Sequence, residues 1–297
     1  MFTLKTNHEI KALFDLKFIQ EQFDYSFTYG NSVIKLENND NPSQLKLVIS
    51  GKRNIGTVKL QNLFFLIWEM LYFFNGFFPT LFSIAFDGEE DKFFLKKMAR
   101  QWTTANNISA TRSSNRLCFI SPEILNNSTL TKYSDLKAAL SYPLQSLFAI
   151  QSYDGIYSEH RFLLASQAAE GIIEEKYDDM LERSGFQARI EFLFKPLLVA
   201  NRKHRTKLFS SIGITQEIYF KLIKDTRHFY SHLAKDRKRF RKGVEFISDY
   251  WILSLAIRMF ILQEIGVSYN ESLFKINASS IVRWINENRK VHKPTSS

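Results

Sequence analysis

The chain has 297 residues, 45% of them hydrophobic and 15% aromatic, which is enough for two ordinary domains with real cores and excludes a disordered protein. There are 40 Lys and Arg against 30 Asp and Glu, a net charge of +10 that favours nucleic acid or another anionic surface as partner. A single cysteine, Cys118, excludes an internal disulfide, and Met1-Phe2-Thr3-Leu4-Lys5 lacks the apolar stretch of a signal peptide, so a cytoplasmic protein is expected.

The first elements read as strands. Phe23 to Leu36 carries aromatic and β-branched residues near alternate positions, broken at Gly30-Asn31, the pattern of a hairpin. Asn38 to Pro42 is a loop, and Gln44 to Ser50 is a further strand. The run from Leu63 to Phe74 is very apolar but too short for a membrane span, which needs about 20 such residues, and it contains Glu69. It reads as part of a buried helix over about 60–74, so no membrane partner is expected. Leu81 to Phe86 and Phe93 to Trp102 read as strands joined by an acidic turn, Asp87 to Asp91.

Past residue 130 the apolar period changes from two to three and four. Helices are expected at Leu136 to Ile150, Tyr157 to Leu181, Phe186 to Leu198, Gln216 to Leu233, Val244 to Glu264 and Ala278 to Asn288. Gly213, Gly243 and Gly266 sit near the joins, where helices stop. The expected fold is α+β: a strand-rich domain with a buried apolar helix over 1–130, an all-α bundle over 131–292, and a flexible tail over 293–297.

The chemistry concentrates in Arg227-His228-Phe229-Tyr230-Ser231-His232. RNA can be cut without metal, because its 2′-hydroxyl is a built-in nucleophile. The cut needs a base for that proton, an acid for the leaving oxygen and a cation for the crowded phosphate. Histidine titrates near neutrality and can serve in the first two roles, at His232 and His228. Arginine stays charged and offers a planar fork to phosphate oxygens, the role open to Arg227. Tyr230 can reach phosphate through its hydroxyl, although Phe229 and Tyr230 also read as core or dimer contacts.

This string resembles the Arg-x4-His signature of HEPN ribonucleases, in which Arg is followed by Asn, Asp or His. It is most similar to the ApeA-like subgroup, whose strings are of the type Arg-Asn-Tyr-Tyr-Thr-His. Upstream, Glu159-His160-Arg161-Phe162-Leu163 running on to Ala168-Ala169-Glu170 is similar to that subgroup's early helix, with Glu170 at its acidic position. The resemblance covers about 135–292 and implies a helical HEPN domain, a metal-independent endoribonuclease and a symmetric homodimer whose paired motifs face one cleft. It also implies a setting in antiviral defence or as a toxin. The N-terminal domain would then sense a trigger, a protein or a phage-derived molecule.

Helix geometry bears on the dimer. Residues five apart are rotated by about 140° and separated by roughly 7.5 Å along the axis, so Arg227 and His232 diverge on a straight helix, while His228 and His232 share a face. Either the helix ends or bends near Ser231, or two chains share one site. Other readings stand beside this one. His228 and His232 have zinc-ligand spacing, but no nearby Cys and no intervening Glu completes a site, so no metal and no cofactor are expected. Arg227 and His232 can also belong to a structural ion-pair network with Asp225 and Glu170. Glu170 itself either orients Arg227 or His232, or is an exposed helix residue beside Glu174 and Glu175.

Two basic runs suit an RNA ligand. One follows the motif and holds Lys235, Arg237, Lys238, Arg239, Arg241 and Lys242; the other holds Arg202, Lys203 and Arg205. A solvated loop is the alternative for both. The sequence has no Gly-rich phosphate loop, no Gly-x-Ser-x-Gly elbow and no CxxC pair. A non-catalytic RNA- or nucleotide-binding HEPN module and a protein-interaction scaffold are the competing functions.

Overall fold

The computed structural model describes residues 8–15, 24–38, 44–51, 56–75, 80–87, 89–90, 124–152, 158–203, 208–211, 214–232, 241, 244–268, 278, 281–283 and 286–287. The chain divides into two compact units, Met1–Asp135 with Ile265–Val267, and Leu136–Glu264 with Ser268–Ser297. Together they make an α+β protein, a sheet followed by helices, as the change of period predicts.

In the first unit, β1 (Glu9–Asp15), β2 (Asp24–Tyr29), β3 (Ser32–Asn38), β4 (Gln44–Gly51), β5 (Thr80–Phe86) and β6 (Glu89–Glu90) form one antiparallel sheet in the order β2-β3-β4-β1-β5-β6. The hairpin between β2 and β3 turns at Gly30, whose φ of 55° is the left-handed conformation that a two-residue turn with Gly first requires. Alternation puts Ile10, Ala12, Phe14, Ile34, Leu36, Leu45, Leu47 and Ile49 on one buried face. The other face carries Lys11, Lys35 and Lys46, with Glu9 2.8 Å from Lys11 and Glu37 2.5 Å from Lys35.

In β5, Leu81 pairs with Phe14 while Ser83 pairs with Leu13, so Phe82 is the extra residue of a bulge. That single insertion resets the period and lets Leu81 and Ile84, three apart, both face the core.

The apolar run is helical, as expected: α1 (Thr57–Asn75) buries twelve of the fifteen positions from Leu60 to Phe74, with Phe64 stacked on Phe14 at 5.8 Å and Trp68 tilted against it at 6.1 Å. Its one acid, Glu69, is buried and accepts a hydrogen bond from Tyr133 Oη at 3.1 Å. Burial and that carboxylate push the Tyr133 hydroxyl well above its ordinary value, which keeps it a donor. Tyr133 lies on α2 (Asn127–Ala139), which opens with a reciprocal cap: Asn126 N donates to Thr129 Oγ1 and Thr129 N to Asn126 Oδ1.

Two expected strands differ in detail. The acidic turn is a tight hairpin: Asp87 holds the turn at φ 51°, and Glu89 and Glu90 pair back on Phe86 and Ala85 as β6. Phe93 to Trp102 lies outside the described residues.

The second unit is helical: α3 (Ser141–Ser152), α4 (Ser158–Tyr177), a 3-10 turn (Asp178–Met180), α5 (Phe186–Leu193), α6 (Lys195–Lys203), α7 (Leu208–Ser211), α8 (Gln216–His232) and α9 (Val244–Glu264). Two expected helices are each split. The 136–150 helix breaks at Leu140, and the 186–198 helix breaks at Phe194. Pro143 and Pro196 sit just past these breaks; each lacks the N–H that would bond the carbonyl four residues back, so the ladder restarts there. The apolar α9 runs through the middle. Phe246 packs on Phe162 of α4 at 5.5 Å, and Phe260 on Tyr177 at 5.4 Å. Phe194 closes the other side against Phe220 of α8 at 5.2 Å. Among the described residues no helix is long and apolar enough to cross a membrane.

Candidate functional site

The motif lies on α8, a helix with one buried stripe. Thr215 caps its start, accepting from Ile218 N at 3.4 Å, and Tyr219, Phe220, Ile223 and Thr226 point into the core. Arg227 follows at the edge of that stripe, with 24% of its side chain exposed. Its position is set from two neighbouring helices. Nη2 donates to Glu170 Oε2 on α4, and the guanidinium lies over the ring of Phe186 on α5, 4.7 Å from its centre. Among the described residues, Arg227 Nε is buried without a hydrogen-bond partner.

Glu170 is therefore not an exposed helix residue: its side chain is 14% exposed and meets Arg227. Its other oxygen accepts from Arg189 Nη1 on α5 at 3.2 Å. Arg189 is held by further acids: Nε and Nη2 grip both oxygens of Asp178 at 2.8 and 3.1 Å, and Glu174 is 3.0 Å away. The fork of Arg189 holds the Asp178 carboxyl below its ordinary range, and Asp178 in turn raises the guanidinium. One carboxylate thus bridges two arginines, one surrounded by acids and one with terminal N–H groups still unbonded among the described residues.

The structure places the remaining motif residues as follows. α8 stays helical through His232, so Arg227 and His232 sit about 140° apart around one axis. The His232 side chain lies outside the described residues. His228 is half-buried beside Arg227. Tyr230 packs edge-on against Phe229 at 5.0 Å and Phe246 at 5.1 Å, so its ring belongs to the core rim. Burial, with Glu159 nearby, pushes its hydroxyl above the ordinary value.

Arg202 and Lys203 end α6 on the surface, where an anion can reach them. Lys235, Arg237, Lys238, Arg239, Lys242 and Arg205 lie outside the described residues. Arg241 overturns the expectation of an RNA-facing cation: it is 4% exposed, and Nε and Nη2 grip Asp249 of α9 at 2.8 and 3.1 Å. Its backbone N donates to Thr226 Oγ1 at 3.1 Å, which ties the chain back to the residue before Arg227. A guanidinium so buried, with each nitrogen bonded to a carboxylate, is not presented to phosphate from solvent.

Sequence reasoning missed Phe186, Arg189 and Asp178. Phe186 and Arg189 are three apart and share a helix face, but neither belongs to a motif, and only the packing of α4, α5 and α8 brings them to Arg227.

The model of the Apea-like HEPN family matches residues 152–271, which span α4 through α9, and this segment is an Apea-like HEPN domain. No curated protein and no solved structure matches the chain. HEPN domains are generally ribonucleases, and they often dimerise.

Proposed function

We propose that the protein is a metal-independent endoribonuclease of antiviral defence or toxin type, acting in the cytoplasm as a homodimer whose two motifs line one cleft. The observation that carries this is Arg227: a guanidinium held by Glu170 and Phe186, with terminal donors unbonded among the described residues, one helical turn and a half before His232 in an Apea-like HEPN domain. Arg227 binds the scissile phosphate and offsets the charge that builds on it. His232 or His228 takes the 2′-hydroxyl proton; the other returns a proton to the 5′-oxygen as the P–O bond breaks.

The divergence of Arg227 and His232 around a continuous helix supports completion of the site by a second chain. Arg202, Lys203 and the basic run at Lys235, Arg237, Lys238, Arg239 and Lys242 contact flanking phosphates, and the sheet unit receives the trigger. The test is the chemistry of the products. In EDTA, cleaved RNA should carry 2′,3′-cyclic phosphate and 5′-hydroxyl ends, and all-deoxy strands should stay intact. Ends with 5′-phosphate, cutting that needs added metal, or RNA binding with no cutting would each refute the reading.

A further inference from the structure

We infer that Arg189 is a positioning residue for Arg227, acting through the carboxylate the two share; this rests on the ribonuclease reading above. Glu170 is a single rotatable carboxylate at the end of a flexible side chain. Left with Arg227 alone, it has many ways to meet that cation. Arg189 removes this freedom by taking Oε1 at 3.2 Å while Oε2 meets Arg227.

Arg189 is itself anchored. Its grip on both oxygens of Asp178 and its approach to Glu174 use the rest of its fork. It lies 12% exposed, and all three of its nitrogens face carboxylates. It therefore holds, and does not bind.

The same helix supplies the second constraint. Phe186, one turn before Arg189, presents its ring to the Arg227 guanidinium at 4.7 Å. One contact sets the edge of the guanidinium and the other its plane. Among the described residues the buried Nε has no hydrogen-bond partner, which leaves these two contacts to set the orientation.

The experiment uses the full chain. Arg189→Met is compared with wild type in RNA cleavage and again in an Arg227→Ala background, with thermal melts of each. The expected result is a fall in kcat on the order of 100-fold, the scale of a misplaced catalytic contact, with KM little changed. No further fall is expected when Arg227 is already Ala, because nothing remains to orient. A residue needed only for folding would lower activity equally in both backgrounds, and that result overturns the inference.

A second measurement does not depend on activity. The Nε–Hε signal of Arg227, observed by nitrogen-15 NMR and assigned with Arg227→Lys, should be slowly exchanging in wild type and broadened or shifted in Arg189→Met. An unchanged signal overturns the inference. If wild type fails to cut RNA, the ribonuclease reading fails, and this signal alone decides whether Arg189 positions Arg227.

Discussion

Arg241 and Asp249 meet through two parallel hydrogen bonds, 2.8 and 3.1 Å long, at a depth where Asp249 has no exposed surface. Burial works against both charges, yet each favours the other, and Glu245 adds a third contact to Arg241 at 3.2 Å. The backbone of the same arginine bonds Thr226, so the pair clamps α9 to the middle of the motif helix. Removing one partner leaves the other buried and uncompensated, which costs about 3–5 kcal/mol. Arg241→Met should lose that much stability in urea unfolding, and Arg241→Met with Asp249→Leu should recover most of it. A loss below about 1 kcal/mol for the single variant would show that the pair is not buried.

The same pair predicts a pH dependence. Burial first, opposed by Arg241, leaves the Asp249 carboxyl pushed up to about 6. An unfolded chain holds an aspartate at about 3.9, so the folded value is the higher one. Such a group favours the native state most below pH ~4, loses that contribution as pH rises to about 6, and is flat above. The step is on the order of 3 kcal/mol. Unfolding free energies of wild type and Asp249→Asn, taken from pH 4 to 7, should show wild type falling relative to the variant across that window. Arg241→Met should extend the window to higher pH, since the guanidinium is what restrains the shift. Parallel curves would contradict the assignment.

Gly171, next to Glu170 on α4, lets α3 approach. A methyl added there would lie 2.9 Å from Cγ of Pro143, a ring that cannot swing away. Alanine gains about 1 kcal/mol of helix propensity over glycine, but overpacking costs about 1–3 kcal/mol. Gly171→Ala should therefore be destabilised by about 1 kcal/mol in a thermal melt. A stabilised variant would mean that α3 and α4 part at no cost.

The shared cleft predicts complementation. Arg227→Ala and His232→Ala chains, each cutting about 100-fold more slowly alone, should regain a measurable part of the wild-type rate once mixed and allowed to exchange. In the mixed dimer one intact arginine and one intact histidine come from different chains. No recovery, with exchange shown by mass, would place each complete site within one chain.

Where local patterns decide, the fold was legible in the sequence. The hairpin at Gly30, the β4 strand, the buried α1 and the span of α9 follow from period and turn chemistry. The strand Glu9–Asp15 was missed although Ile10, Ala12 and Phe14 alternate, because Leu13 blurs the polar side of so short a run. The splits at Leu140 and Phe194 were readable from Pro143 and Pro196. The contact between Glu170 and Arg227 was among the readings that the motif and its upstream helix offered. Arg189 was not, since its role arises only where three helices pack. Arg241 was misread for the same reason: a basic run is a local signal, and the buried Asp249 that claims one member of it is a tertiary fact.

The most direct test is cleavage of RNA in EDTA by wild type, Arg227→Ala and His232→Ala, each first shown to be folded. Wild type should cut, and either substitution should reduce the single-turnover rate by about 100-fold or more, the scale of one lost charge-stabilising or proton-transferring group. Full cutting by either variant would contradict the assignment of that residue, and absence of cutting by wild type would contradict the account as a whole.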